Sequence, residues 1–155
     1  MKLPHPFASH AGCCWLPRLI AKTKARGAGD MPWSYRIAYG SKIGVDGHFL
    51  RHFRLTIPQL TVALRRARTG NEAVAWFLAQ PTVNADSIAQ WNKMAGHLGR
   101  RGQPGHRTFQ IVRWLLYPKS ILSPVDSIFD AIAQDENLST LTGPMEIPPD
   151  QIAAG

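Results

Sequence analysis

Cysteine is nearly absent from the chain, and this absence excludes a disulfide-stabilised scaffold. The only two cysteines, Cys13 and Cys14, are neighbours, and the strained geometry of such a pair disfavours an ordinary disulfide. We therefore expect a reducing, cytoplasmic environment. No apolar run approaches the roughly 20 residues that cross a bilayer, so no membrane partner is expected. Pro4, His5 and Pro6 also interrupt the apolar core that an N-terminal secretion signal needs.

Acidic residues are scarce in the first half of the chain. Residues 1–68 contain 12 Lys and Arg against 2 acids, whereas residues 69–155 contain 6 against 8. The net charge of +8 favours anionic partners, although basic side chains scattered in solvent are the commoner arrangement. With 45% hydrophobic and 18% charged residues, the 155-residue chain is globular and long enough to bury a core.

The spacing of apolar residues predicts an all-α fold, a single compact domain of about six or seven short helices. One helix starts near Pro17 and ends at Gly27 and Gly29, with Leu19 and Ile20 on its apolar face. Other helices are predicted around Leu50, Leu64, Phe77, Trp91, Leu115 and Ile132. The expected N-terminal caps are Asp46, Thr56, Thr69 and either Thr82 or Asn84.

One long connection, residues 30–45, is rich in aromatic side chains and shows no helical period. It contains Trp33, Tyr35 and Tyr39, which we expect to pack against the helices, lining either the core or a pocket. Connections of this length are often functional or have some structure of their own. Three regions are expected in chain order: an irregular lead-in at 1–10, the helical domain at 11–137 and a tail at 138–155.

Leu16-Pro17-Arg18, followed by Ile20 and Lys22, opens a series of short motifs along the chain. The later motifs are Tyr35, Asp46, Phe49-Leu50, Phe53, Trp91-Asn92, Phe129-Asp130 and Asp135-Glu136. Together they resemble the bacterial family DUF5069, a domain of unknown function, over residues 10–137. The resemblance implies a small cytoplasmic helical fold and supplies no reaction, so it assigns no catalytic residue.

The chain departs from the family's pattern within and just before the first helix. Gly12 and Cys13 stand where two glycines are usual, and Ala21 replaces the acid usual before Lys22. The aromatic and basic composition of the 30–45 connection is also unusual. These departures favour a specialised ligand or task for this member.

His48 and His52 are the candidate catalytic histidines, with Asp46 just before them. A spacing of four residues places both imidazoles on one helix face, as in a metal-binding pair. No HExxH glutamate accompanies them and nothing specifies a third ligand, so no metal site is predicted. An imidazole with its free pKa of about 6.5 suits proton transfer at neutral pH. Ordinary surface or half-buried histidines are the alternative.

Two interpretations apply to the cysteines. A thiolate is activated at a helix N-terminus near a cation such as Arg18, whereas a cysteine in the core acts as a small hydrophobic residue. The sequence contains no phosphate-binding glycine loop, nucleophile elbow, zinc finger or kinase motif, so no cofactor is predicted.

A basic stripe beside an aromatic cluster is the candidate ligand site. Arg18 and Lys22 would hold an anion, and the aromatic residues a planar ring. The proposed lining comprises Trp15, Arg18, Lys22, Trp33, Tyr35, Arg36 and Tyr39, with Trp91 and Asn92 as a wall and a polar anchor. The alternative is that the aromatic residues form core and the charges are solvated.

Three functions follow from these residues. The first is a small-molecule-binding protein for an aromatic or carboxylate-bearing ligand; whether it is also a cofactor-independent enzyme is not decided. It requires Trp33, Tyr35, Arg36 and His48 to share one concave pocket. The second is a protein–protein or homo-oligomeric module. The third, less favoured, is a nucleic-acid or polyanion binder using basic side chains: Arg65, Arg66, Arg68, Arg100 and Arg101.

Overall fold

The fold is mostly helical, with a small sheet that joins the two ends of the chain. The computed structural model describes residues 2–107, 109–111, 125–139 and 141–150. Its helices are α1 Leu16–Ala28, α2 Trp33–Ala38, α3 Val45–His52, α4 Ile57–Arg66, α5 Gly70–Leu78, α6 Ala85–Ala95 and α7 Ile128–Asp135. Its strands are β1 Ala8–His10, β2 Cys13–Cys14 and β3 Met145–Glu146.

The three-stranded sheet corrects the prediction of an all-α fold. The strand order is β2-β1-β3, with β1 antiparallel to β2 and parallel to β3. Strands of two or three residues are too short for an alternating pattern to register, and β3 lies far from β1 in sequence. The irregular lead-in and the tail therefore each contain a strand.

Glu146 of β3 also fastens the turn between β1 and β2. Ala11 and Gly12 both have positive φ, 50° and 73°, as two-residue hairpin turns require. Their backbone N–H groups donate to the Glu146 carboxylate at 2.8 and 3.0 Å. The Ser9 hydroxyl donates to the same carboxylate at 2.8 Å. One side chain from the tail thus completes the hairpin.

Helix α1 begins and ends where its sequence predicts. Pro17 lies in the first turn, where a missing N–H leaves no hydrogen bond unmade. Gly29 ends the helix in a left-handed conformation with φ 83°, which glycine adopts without steric cost. Gly27 lies inside the helix rather than at its end. The buried face of α1 includes Leu16, Leu19 and Ile20.

Most of the predicted N-terminal caps are confirmed. Thr56, Thr69 and Asn84 each accept a hydrogen bond from a backbone N–H in the first turn of α4, α5 and α6. Asp46 is the exception, because Gly44 precedes α3 and the Asp46 side chain turns into the protein. The 30–45 connection contains the six-residue helix α2. The predicted helix around Leu115 lies outside the described residues.

The core is built around aromatic side chains that lie in or next to α1, α3, α5, α6 and α7. Phe49 lies between Phe53, Phe77 and Trp91, with ring centres 4.8 to 5.9 Å apart. Trp15 stacks on Phe129 at 5.2 Å. Burying one large apolar side chain contributes about 1.5–3 kcal/mol, so these rings dominate the stabilisation. None of the helices in the described ranges is long and apolar enough to cross a membrane.

Candidate functional site

Asp46 lies at the centre of a buried polar cluster at the start of α1. Its carboxylate accepts hydrogen bonds from the Trp15 indole at 2.9 Å and from the Gly40 backbone at 3.1 Å. Lys22 Nζ donates to both carboxylate oxygens, at 3.0 and 3.1 Å. Burial lowers the pKa of Lys22, and the Asp46 carboxylate opposes that shift. Three predicted site residues therefore meet here in a closed ion pair.

Arg18 forms a second ion pair, one helical turn before Lys22. Its guanidinium contacts the Glu136 carboxylate at the end of α7, in one contact at 3.1 Å, and donates to the Pro4 carbonyl at 2.7 Å. The Tyr35 hydroxyl donates to the same carboxylate at 2.9 Å. Burial, together with the Glu136 charge, raises the pKa of Tyr35 to about 12. The cation predicted to hold a ligand is thus neutralised by an internal anion.

The side chains predicted to share a pocket point in different directions. Trp33 is 74% exposed, and Arg36 is exposed while donating to the Met31 carbonyl at 2.8 Å. Tyr35 instead points inward to Glu136. Trp33, Tyr35 and Arg36 thus face different surroundings, and a small-molecule pocket around α2 stays a prediction.

Tyr39 and Asn92 have structural hydrogen bonds. The Tyr39 hydroxyl donates to Thr23 at 2.9 Å, and burial raises the pKa of Tyr39. Asn92 accepts from the Cys14 backbone N–H at 3.0 Å and donates to the Gly12 carbonyl at 2.7 Å. Asn92 therefore holds β2 against α6.

Trp91 is fully buried, and its indole donates to the Cys14 carbonyl at 2.8 Å. It forms one side of the aromatic core around Phe49 rather than the wall of an open pocket. Tryptophan is suited to this position because it supplies apolar area and one donor that needs a partner.

His48 and His52 lie on α3, both half-buried, and each has a partner within the protein. His48 Nδ1 lies 3.2 Å from the Arg51 guanidinium, and burial, aided by the Arg51 charge, lowers the pKa of His48. His52 Nε2 donates to the Ser87 carbonyl at 2.7 Å. No cluster of three potential metal ligands is present in the part of the chain that the structure describes. An acid–base role stays a prediction.

Both cysteines are free and buried in the core. Burial raises the pKa of the Cys14 thiol to about 12 and raises the pKa of Cys13 as well. A thiol with a raised pKa is a poor nucleophile at neutral pH. The geometry therefore favours the interpretation of both residues as small hydrophobic core residues.

Two histidines and two glutamates have roles that the sequence did not predict. His5 Nε2 donates to the Ser139 carbonyl and His10 Nδ1 to the Ile147 carbonyl, both at 2.9 Å. Burial lowers the pKa of both imidazoles. Glu136 and Glu146 bind Arg18 and the hairpin turn, respectively. Glu136 lies in the Asp135-Glu136 motif, and this motif was the one sequence signal that pointed to it. His5, His10 and Glu146 lie in the predicted lead-in and tail, where no signal pointed to them.

The 33–43 segment carries three exposed large apolar side chains. Trp33 and Ile37, 74% and 59% exposed, are four residues apart and share one face of α2. Ile43, 56% exposed, follows in a turn in which Ser41 N–H donates to the Ala38 carbonyl. We call these three apolar side chains, Trp33, Ile37 and Ile43, the α2 patch.

Exposed cations lie within or next to the segment that carries the α2 patch. Arg36 lies on α2 itself, and Lys42 lies beside Ile43; both are exposed. The exposed Arg51 of α3 donates from its guanidinium to the Lys42 carbonyl. We call Arg36, Lys42 and Arg51 the cationic rim. Asp46 does not neutralise the rim, because it is buried and paired with Lys22.

An open groove of about 610 Å³ lies between α4 and α5, and none of the predicted catalytic or small-molecule-binding residues lines it. It contains Trp76 and the basic side chain Arg66. Arg65, Arg66 and Arg68 are exposed around the end of α4, where the helix dipole favours cations. Arg101 is exposed and Arg100 half-buried.

The described residues form a mostly helical domain in which the buried cations Arg18 and Lys22 are paired with carboxylates. Their surface includes the α2 patch, its cationic rim and the groove between α4 and α5. The chain belongs to the DUF5069 family, a domain of unknown function, whose profile matches residues 4–138. No curated protein and no solved structure matches the chain.

Proposed function

We propose that the protein is a protein–protein interaction module that binds an acidic, apolar partner segment through the α2 patch. The observation that carries this proposal is the exposure of Trp33, at 74%. Exposed single hydrophobic residues are common, but this short segment exposes a tryptophan and two isoleucines, and tryptophan is enriched at the energetic centres of interfaces. The proposal includes a reducing, cytoplasmic location, which the free cysteines favour.

The way α2 is attached supports this function. A six-residue helix is too short to be stable by itself, and α2 has no buried residue. It is held by polar groups instead: Tyr35 to Glu136, Arg36 to the Met31 carbonyl, and the neighbouring Tyr39 to Thr23. These bonds position α2 while leaving Trp33 and Ile37 uncovered.

The cationic rim indicates the charge of the partner. A two-fold contact between copies would bring Arg36, Lys42 and Arg51 of one copy towards those of the other, and like charges repel. An acidic partner would instead pair its carboxylates with the rim. We therefore favour an amphipathic partner helix with apolar anchors and flanking carboxylates over self-association.

Two matched amphipathic peptides test the proposal. Both carry the same leucine face, and their polar faces carry either glutamate or lysine. We expect the glutamate peptide to bind with a blue shift in tryptophan emission, and the lysine peptide to bind much more weakly. Trp33→Ala should weaken binding about 30-fold or more, as loss of a 2 kcal/mol hot spot does. Leu78→Ala, at a 44% exposed residue of α5, is the matched control.

Several outcomes would reject this function. Equal binding of the two peptides, no binding of either, or an unchanged affinity in Trp33→Ala would do so. Self-association abolished by Trp33→Ala in light scattering would show a homo-oligomer instead. Binding to vesicles containing phosphatidylglycerol, without binding to the glutamate peptide, would indicate an anionic membrane surface.

A further inference from the structure

The groove between α4 and α5 has the dimensions of a small-molecule site. Its volume of about 610 Å³ lies within the roughly 300–1,000 Å³ of typical ligand pockets. Val62 and Ala63 of α4 and Trp76 of α5 supply apolar surface, and Trp76 is half-buried. Such a lining contacts the apolar part of a ligand.

Arg66 supplies a positive charge at one end of the groove. It lies in the last turn of α4, and its side chain is exposed. Among the described residues, the ion pairs are Arg18–Glu136 and Lys22–Asp46, so Arg66 has no carboxylate partner there. A free guanidinium binds a carboxylate through two parallel hydrogen bonds.

Glu72, which lines the same groove, supplies a negative charge. Its Oε2 accepts a hydrogen bond from the Arg68 backbone N–H at 2.7 Å. This bond holds the Glu72 carboxylate against the chain just beyond Arg66. Within the described residues no hydrogen bond engages Oε1 of Glu72, which leaves an acceptor for a ligand ammonium. The groove thus presents one charge of each sign next to an apolar surface.

We infer that this groove binds a free α-amino acid with an apolar side chain. Arg66 would hold the carboxylate, Glu72 the ammonium, and Trp76 with Val62 the side chain. A ligand with only a carboxylate would leave Glu72 without a cation, and one with only an amine would meet the like charge of Arg66. Both half-ligands are therefore disfavoured by the same pair of residues that recognises the zwitterion.

Titration calorimetry with L-phenylalanine tests this inference. The half-ligands are 3-phenylpropionate, which lacks the ammonium, and phenethylamine, which lacks the carboxylate. We expect saturable binding of L-phenylalanine and at least about tenfold weaker binding of each half-ligand, because each half-ligand lacks one of the two charged hydrogen-bonding groups. Arg66→Ala and Glu72→Gln should each weaken L-phenylalanine binding by a similar factor.

The controls separate recognition from folding. Arg65→Ala removes an exposed arginine of the same helix that does not line the groove, and it should bind within about twofold of the unmodified protein. Glu72→Gln retains an acceptor for the Arg68 N–H, so α5 should keep its first turn. The inference is overturned if Arg65→Ala and Arg66→Ala are equally impaired. It is also overturned if a half-ligand binds as tightly as L-phenylalanine, or if the binding of L-phenylalanine does not saturate up to about 10 mM.

Discussion

Removal of the Asp46 charge should destabilise the protein more than any other single change at a charged residue of α3. The carboxylate and the Lys22 side chain are 1% and 5% exposed, and Lys22 Nζ contacts both carboxylate oxygens. Asp46→Asn retains an acceptor for the Trp15 indole but leaves the Lys22 ammonium without a counter-charge. A buried ammonium in that state must either remain unpaired or lose its proton.

The expected cost of Asp46→Asn is about 3–5 kcal/mol, the usual result of removing one partner from a buried ion pair. This is a large part of the 5–15 kcal/mol that typical domains have. A domain of this size loses about 2–4 °C in Tm per kcal/mol, so a decrease of roughly 10 °C is expected. The double variant Lys22→Met/Asp46→Asn removes both charges and should be more stable than the sum of the two single effects predicts.

Urea denaturation followed by circular dichroism measures all three variants. The coupling energy between Lys22 and Asp46 should be about 2 kcal/mol or more, in the range found for contacting residues. Asp30→Asn is the matched control, because Asp30 is exposed just beyond α1, and its effect should stay within about 0.5 kcal/mol. Additive single effects, or a cost for Asp46→Asn below about 1 kcal/mol, would refute the reasoning.

Three further predictions concern titration and packing. Tyr35, whose pKa is raised to about 12 in the fold, should ionise above the ordinary tyrosine range in an absorbance titration at alkaline pH, and the stability linked to its neutral form should fall as pH rises from about 10 to 12. His10 and His48, whose pKa values are lowered, should stay neutral below pH 6.5, so unfolding midpoints should fall as pH decreases from there. Gly47→Ala should lower Tm, because a Cβ atom would lie 2.3 Å from the Ser41 carbonyl oxygen. Overpacking of this kind destabilises a fold by about 1–3 kcal/mol.

Each of these predictions has a clear counter-result. Loss of the late step in Tyr35→Phe identifies Tyr35, and an unchanged titration would contradict the assignment. For the histidines, imidazole signals that follow a pKa of 6.5 or above would be contrary to burial of the neutral rings. Gly27→Ala is the control for Gly47→Ala, since a Cβ at Gly27 meets no atom within 4 Å. Equal melting of the two alanine variants would show that the 41–42 turn moves freely.

Local signals explain why much of the helical structure could be predicted. Thr56 and Asn84 cap helices through side-chain bonds to residues three positions later, so the signal and its result lie within one turn. Pro17 and Gly29 likewise act on the residues next to them. Prediction succeeded where the residues whose interaction determines the structure are only a few positions apart in the sequence.

The candidate site depended on contacts between residues far apart in the sequence, and these contacts could not be predicted. Asp46 has the residue type of an N-cap, yet its partner is Lys22 on another helix. Arg18 has the residue type of an anion anchor, yet Glu136 neutralises it from 118 positions away. Composition also does not distinguish a core tryptophan such as Trp91 from an exposed one such as Trp33.

The pairing of β1 with β3 has a consequence for synthesis on the ribosome. Ser9 and Glu146 are 137 positions apart, and at about 5–20 residues per second the partner strand follows β1 by roughly 7–27 s. During that interval β1 offers an unpaired edge, and the N–H groups of the 11–12 turn lack the carboxylate that they bind in the finished fold. Nascent chains that pause before Glu146 emerges should therefore be the species most dependent on chaperones.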